Sequence, residues 1–244
     1  MRNLKLTLSF LGTAYHGYQV QQNASSVAGT LQSAITAVTG ERVELKGCSR
    51  TDSGVHARAY VCSFRTASAI PCVKLPLALN SHLPPDIGVL SCEEAPPDFH
   101  ARYSAKGKEY EYDIYNSPLR SPFYEETAWR FAPRLDEGKL EAWAGEFLGR
   151  HDFSAFRAAG GSVTNPVRTL TRFTVTRQGE LVRFVVEGDG FLYHMVRILV
   201  GTLLDLHQHK LPDPSPRPIL LSGDRARAGF TAPAKGLTLN RVFY

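Results

Sequence analysis

The order in which two periodicities alternate constrains this chain more than any other feature. Residues 4–10 (Leu4-Lys5-Leu6-Thr7-Leu8-Ser9-Phe10) are apolar at every second position, the pattern of a strand with one buried face. Residues 26–38 carry Val27, Leu31, Ile35 and Val38 at helical spacing, with Ser26 placed to cap the helix and Gly40 placed to end it. Residues 43–45 and 59–64 read as strand segments on either side of a polar turn. Pro71 opens a second helix towards His82, Pro84-Pro85 stops it, and residues 87–90 make another short strand.

The second half repeats that order. A strand covers 109–115, and a helix covers 135–148 with Leu140, Trp143 and Phe147 on one face. Residues 172–175 and 181–186 form a hairpin with Gln178-Gly179-Glu180 near its tip. A helix at 193–206 and a strand at 237–244 complete the set. The Pro-rich residues 211–218 read as a loop before a short helix at 219–228. The pattern predicts an α+β protein of two ferredoxin-like βαββαβ halves, residues 1–104 and 105–244. No sequence repeat accompanies the repeated topology.

Composition limits what such a protein does. With 244 residues, 43% apolar and 21% charged, the chain has material for a substantial core in one large domain or two small ones. No run approaches the roughly 18 apolar residues of a membrane-spanning helix. Residues 1–10 lack the shape of a signal peptide, so the cytoplasm is the expected compartment, with no membrane partner. Cys48, Cys62, Cys72 and Cys92 form no Cys-x-x-Cys pair and have no histidine at zinc-ligand spacing. Free buried thiols and no metal site are expected. The formal net charge of +5 permits nucleic-acid binding without demanding it. No block of five like charges occurs, so an RNA-binding face has to be assembled from scattered Arg and Lys. A P-loop and a Rossmann glycine signature are both missing, which fits a reaction without cofactor and equally fits many binding proteins.

The turn between the two central strands of the first half reads Ser49-Arg50-Thr51-Asp52-Ser53-Gly54-Val55-His56-Ala57-Arg58. It presents one carboxylate, Asp52, two residues after an arginine and two before a glycine that tolerates positive φ. Two readings stand on these residues alone: a solvated hairpin tip, or a sheet-rim site that holds a single ionised Asp.

This decapeptide resembles the Arg-Thr-Asp-x-Gly-Val-His-Ala signature of the TruA-type tRNA pseudouridine synthases. Further segments resemble that family in the same order along the chain. They are Tyr15-His16-Gly17-Tyr18-Gln19 with Gln22 and Val27-Ala28-Gly29-Thr30-Leu31-Gln32, then Phe99-His100-Ala101-Arg102-Tyr103-Ser104-Ala105 and Lys108-Glu109-Tyr110-Glu111-Tyr112. His151-Asp152-Phe153-Ser154-Ala155-Phe156, Phe191-Leu192-Tyr193-His194-Met195-Val196-Arg197 and Thr231-Ala232-Pro233-Ala234-Lys235-Gly236-Leu237 follow.

The resemblance implies two sheets side by side, an active site in a central cleft, and a homodimer that takes tRNA at uridines 38 to 40 of the anticodon stem–loop. It implies an isomerase that breaks the C1′–N1 bond of uridine, turns the base and joins C5 to C1′, with neither redox cofactor nor energy source. Asp52 is then the essential carboxylate, acting on the sugar, on the base, or on the way to a glycal. Arg197 is its implied partner. On residues alone, Arg197 on an otherwise apolar helix either forms a buried ion pair or reaches solvent beside the helix start. Tyr110 is implied to stack on the target base and assist proton transfer, where pattern alone gives a sheet-face tyrosine. Arg50 either helps extrude the nucleotide and contact phosphate or pairs with Asp52. Leu237 is implied to line the base pocket. Arg102, Lys106, Lys108, Arg157 and Arg168 are candidate phosphate contacts.

Two positions depart from the family pattern. Ser49 stands where many relatives have glycine, which would strain the backbone if that position needs positive φ. Ser53 replaces a small apolar residue. Two rival functions remain: a non-catalytic ferredoxin-like RNA-binding module, although the RNP1 aromatic pattern is missing, and a glycosidase-like hydrolase, which needs two carboxylates together.

Overall fold

The computed structural model describes residues 1–161 and 163–244. The chain divides into two compact units, Met1–Lys106 with Thr238–Tyr244, and Gly107–Leu237. The division drawn from sequence at 104/105 put residues 238–244 with the second half; by compactness they group with the first.

The first unit runs β1 (Arg2–Phe10), α1 (Val27–Thr39), β2 (Lys46–Gly47), β3 (His56–Thr66), α2 (Leu75–Asn80) and β4 (Ile87–Ala95). The strands hydrogen-bond in the order β4-β1-β3-β2, each neighbour antiparallel. This is the split βαβ arrangement of a ferredoxin-like unit. Alternation along β1 buries Leu4, Leu6, Leu8 and Phe10. With Val27, Leu31 and Ile35 of α1 and Leu75 and Leu79 of α2 they make the core. Ser26 caps α1 by accepting the Gly29 N–H (3.2 Å), and Gly40 ends it at φ 75°. Regular helix in α2 begins at Leu75 rather than Pro71, because Pro71 O accepts the N–H groups of Lys74 and Leu75 and closes a turn first. Cys48 and Cys62 are buried, but Cys72 and Cys92 are only half-buried, and none of the four forms a disulfide.

The second unit runs β5 (Gly107–Tyr115), β6 (Trp129–Arg130), α3 (Glu137–Gly145), β7 (Gly149–Asp152), β8 (Val167–Gln178), β9 (Leu181–Gly188), α4 (Met195–His207) and α5 (Pro216–Ser222). β5, β9, β8 and β7 follow one another antiparallel, and β6 lies parallel to β5. The β8–β9 hairpin pairs Gln178 with Leu181 and turns at Gly179, φ 59°. The short strands β6 and β7 carry no periodicity and were not foreseen. α3 is shorter than the predicted helix, and Ala144 rather than Trp143 is buried beside Leu140. The Trp143 ring instead lies under Lys139 Nζ (4.7 Å). α5 starts at Pro216, inside the predicted loop, since proline at a helix start gives up an N–H that would have no partner anyway. It stops at Gly223, φ 63°, and only a single 3-10 turn follows at Arg225–Arg227.

The last strand, β10 (Leu237–Phe243), runs parallel to β3, with Thr238 opposite His56. Phe243 O accepts the Lys106 N–H (2.8 Å) and the Tyr244 hydroxyl donates to Ala101 O (2.8 Å). The Tyr244 ring lies 5.1 Å from that of Phe99 and under Lys5 Nζ (4.8 Å).

One joint in the second unit is pH-sensitive. His207 Nε2 accepts the N–H of Asp136, the residue that caps α3 (3.1 Å). Burial holds the His207 imidazole below its ordinary value, with Lys139 adding to the effect and Asp136 opposing it. The unfolded chain takes up the proton at about pH 6.5, so this contribution is complete above that pH and is lost as pH falls below it. The urea midpoint is therefore expected to drop between about pH 7.5 and about pH 5.5, and to drop less in His207→Gln. Equal drops in both proteins would exclude His207 as the cause.

Candidate active site

Asp52 sits half-buried on the turn that leads into β3. Val55 N–H donates to Asp52 O (3.2 Å) and closes the turn, with Gly54 at φ 76° in the third position. A glycine takes that conformation at least cost. The turn is held from three directions within the first unit. The loop after β1 supplies Tyr15 O, which accepts the Ser53 hydroxyl (3.2 Å) and the Gly54 N–H (3.3 Å). It also supplies Tyr18 N–H, which donates to Thr51 O (3.4 Å).

This approach is so close that two glycines are required. A Cβ at Gly17 would stand 2.4 Å from Thr51 O, and one at Gly12 would stand 2.0 Å from Val55 O. The Gly12 N–H donates to Nδ1 of buried His56 (2.9 Å). An accepting Nδ1 puts the imidazole proton on Nε2.

The third hold is an aromatic pair. Tyr18 stacks on Tyr60 of β3 with ring centroids 4.2 Å apart. The Tyr60 hydroxyl donates to Ser49 O and accepts the Ser49 N–H (3.4 Å). Burial pushes both phenols well above their ordinary range, which keeps the Tyr60 hydroxyl protonated as a donor. Gly47 makes room for the pair, since a Cβ there would lie 2.2 Å from the Tyr60 hydroxyl oxygen. Tyr15 donates to Asp86 Oδ1 (2.8 Å), and burial followed by that bond raises its phenol to about 12.

The departures from the family pattern cost little here. Ser49 is not among the residues with positive φ, so it carries no strain of that kind. Ser53 gains the bond to Tyr15 O. Arg50 is exposed, and among the described residues its guanidinium makes no hydrogen bond or ion pair.

Tyr110, Arg197 and Leu237 lie in the second unit. Tyr110 of β5 is 6% exposed, its ring edge-on to Phe191 with centroids 5.0 Å apart. Tyr112, two residues on and on the same strand face, donates to Pro233 O (2.8 Å). Half-buried Arg197 does not simply reach solvent: its Nε donates to Ala232 O (2.7 Å), and its own carbonyl accepts the Ala232 N–H (3.1 Å).

Residues 229–233 are strapped along α4 by further bonds. Thr202 Oγ1 accepts the Gly229 N–H (2.9 Å), and Asp205 Oδ2 accepts the Phe230 N–H (3.3 Å). Gly201 permits the contact, since a Cβ there would meet Phe230 O at 1.9 Å. Burial pushes the Tyr112 phenol up, with Arg197 opposing, so the guanidinium lies near that ring. Gly236 packs on the Tyr112 ring and leads into buried Leu237.

Sequence reasoning missed the residues that hold these groups, namely Gly12, Tyr18, Gly47, Tyr60 and Thr202. The glycines were the available signal, because each permits a backbone approach that no side chain allows. Two of the candidate phosphate contacts are used internally: Arg157 Nη1 donates to Val163 O (3.1 Å), and Arg168 Nη1 to Asn165 O (3.0 Å). Arg102 and Lys106 are exposed. Among the described residues no group of three or more His, Cys, Asp or Glu could hold a metal ion, and no helix is long and apolar enough to cross a membrane.

A family model described as tRNA pseudouridine synthase matches residues 7–104 and 143–244, a span that takes in Asp52, Arg197 and Leu237. The chain belongs to the tRNA pseudouridine synthase family. Membership makes it an enzyme, an isomerase, as the ordered segments implied. Its similarity to individual pseudouridine synthases runs end to end. It is 47% identical over 244 residues to tRNA pseudouridine synthase A of Acetivibrio thermocellus, with all of both chains covered. It is 44% identical over 245 residues to that of Ruminiclostridium cellulolyticum, and 43% identical over 244 residues to that of Clostridium acetobutylicum, again with full coverage of both.

Proposed function

We propose that this chain converts uridine to pseudouridine at positions 38 to 40 of the tRNA anticodon stem–loop. In this reading it works in the cytoplasm as a homodimer and needs no cofactor or metal. The observation that carries the reading is full-length identity of 43 to 47% to relatives named tRNA pseudouridine synthase A. The Asp52 turn supports it chemically, because a half-exposed carboxylate on a turn tied down by main-chain bonds is positioned before substrate arrives.

The N-terminal half, residues 1–104, supplies Asp52 and Arg50; the C-terminal half, residues 105–244, supplies Tyr110, Arg197 and Leu237. Asp52 is the essential carboxylate. Attack on C1′, attack on C6 and passage through a glycal all begin from its ionised form. Arg197 supplies a guanidinium whose direction is fixed by its bond to Ala232 O. Tyr110 stacks on the uracil ring, and Leu237 bounds the pocket around it. Arg50, planar, exposed and without a partner among the described residues, helps take the base out of the stack. The net change is one C–N bond exchanged for one C–C bond, with the proton lost from C5 balanced by one gained at N1.

The test is incubation of the protein with unmodified tRNA, without metal or cofactor, and mapping of pseudouridine by position. Pseudouridine confined to the anticodon arm, in intact RNA, is expected. Free uracil would mean a hydrolase. No product from folded protein that still binds tRNA would mean a non-catalytic RNA-binding module.

A further inference from the structure

We propose that residues 117–126 of the second unit form a contact surface for the RNA substrate, with the Phe123 ring stacking on one unpaired base and Arg120 and Arg130 meeting the flanking phosphates. This rests on the tRNA reading above.

Phe123 is 93% exposed and Leu119 73%. Single exposed apolar side chains are common, but this phenylalanine is held outward by a segment fixed at both ends. At one end Asn116 Nδ2 donates to Phe131 O (2.8 Å) and Pro133 O (2.7 Å). Ser117 Oγ then accepts the Leu119 N–H (3.3 Å), and Arg130 Nη1 donates to Pro118 O (3.1 Å). At the other end the Tyr124 ring stacks on Tyr115 with centroids 5.0 Å apart, and Tyr124 O accepts the Ala128 N–H (2.9 Å). Lys235 Nζ donates to Glu125 O (3.0 Å) and Glu125 Oε1 (3.1 Å). Between these anchors the single 3-10 turn Pro122–Tyr124 presents the Phe123 ring to solvent.

The surroundings are cationic. Lys235, and behind it Arg120 and Arg130, hold the Glu125 carboxyl below its ordinary range, so three cations converge where Glu125 and Glu126 are the acidic residues. Arg120 is exposed and makes no hydrogen bond or ion pair among the described residues. One flat aromatic face beside guanidinium groups matches one base and its phosphates. Leu119, Phe123 and the partly exposed Tyr124 are too few for a second protein, since a stable interface covers about 800 Å² on each partner.

The test compares Phe123→Ser, Phe123→Trp and Arg120→Gln with wild type. It measures kcat, KM and filter-binding Kd for unmodified tRNA, together with sedimentation. Phe123→Ser is expected to raise KM and Kd by about 5- to 100-fold with kcat at saturation unchanged. Phe123→Trp should stay within about 3-fold of wild type. Arg120→Gln should reduce the slope of log Kd against log salt by roughly one. An unchanged KM in Phe123→Ser overturns the proposal. So does weaker binding that appears only with a change in oligomeric state, which would assign the surface to a second copy of the chain. Absence of pseudouridine with wild type would instead sink the tRNA reading itself.

Discussion

Asp52→Asn is expected to lower kcat for pseudouridine formation by at least about 1,000-fold, while the melting temperature stays within a few degrees of wild type. The two readouts separate because the bonds described around the turn run through main-chain atoms of Ser49, Thr51, Asp52, Gly54 and Val55 and the Ser53 hydroxyl. Asparagine has the shape of aspartate and suits the same turn. What it lacks is the charge, and every path from uridine to pseudouridine considered above starts with that charge. Binding of tRNA should survive, since Arg50 and the exposed cations are untouched. A folded Asn variant that retains a tenth or more of wild-type turnover would remove Asp52 from the chemistry and return the turn to the status of a hairpin tip.

Arg197→Ala is expected to lower kcat by about 100-fold, and Arg197→Lys should resemble the alanine variant more than wild type. The reason lies in how the side chain is held. Its Nε is committed to Ala232 O, which fixes the direction of the planar guanidinium. A lysine has one compact ammonium group and cannot both make that bond and present a second cationic face. Residues 229–233 keep their bonds to Thr202 and Asp205 in either variant, so the strap should remain in place. The measurement is kcat and KM for tRNA alongside thermal melting. Near-normal turnover in folded Arg197→Ala would leave Arg197 with a packing role only.

The alternation of β1, the spacing of α1 with its serine cap and glycine stop, and the β8–β9 hairpin were legible because each follows from a local rule. The turn bearing Asp52 was legible for the same reason, since Asp-Ser-Gly between two strands has few other uses. β6 and β7 were not, because two- and four-residue strands are created by their partners and have no period of their own. The start of α5 was misread because proline marks both loops and helix starts, and only tertiary context decides between them. The return of residues 238–244 to the first unit is invisible to any local window. The holds on the site escaped for a related reason. Tyr60 reads as one more aromatic on a strand, and Gly47 as one more turn residue, until the stacked tyrosine pair shows that each requires the other. Ser53, noted as a departure, is explained once Tyr15 O is seen beside it.

The placement of β10 has a consequence for how the protein is made. Residues 1–106 leave the ribosome long before residues 238–244, with the whole of the second unit synthesised in between. At about 5–20 residues per second, the first sheet waits on the order of 10 s for the strand that lies against β3. Through that interval the β3 main chain near His56 and Ala57, at the foot of the Asp52 turn, lacks its parallel partner. An N-terminal fragment ending at Lys106 would keep this condition permanently. The nascent chain is thus expected to reach its final form only after synthesis of its last strand, and chaperone demand should peak while the second unit is being translated.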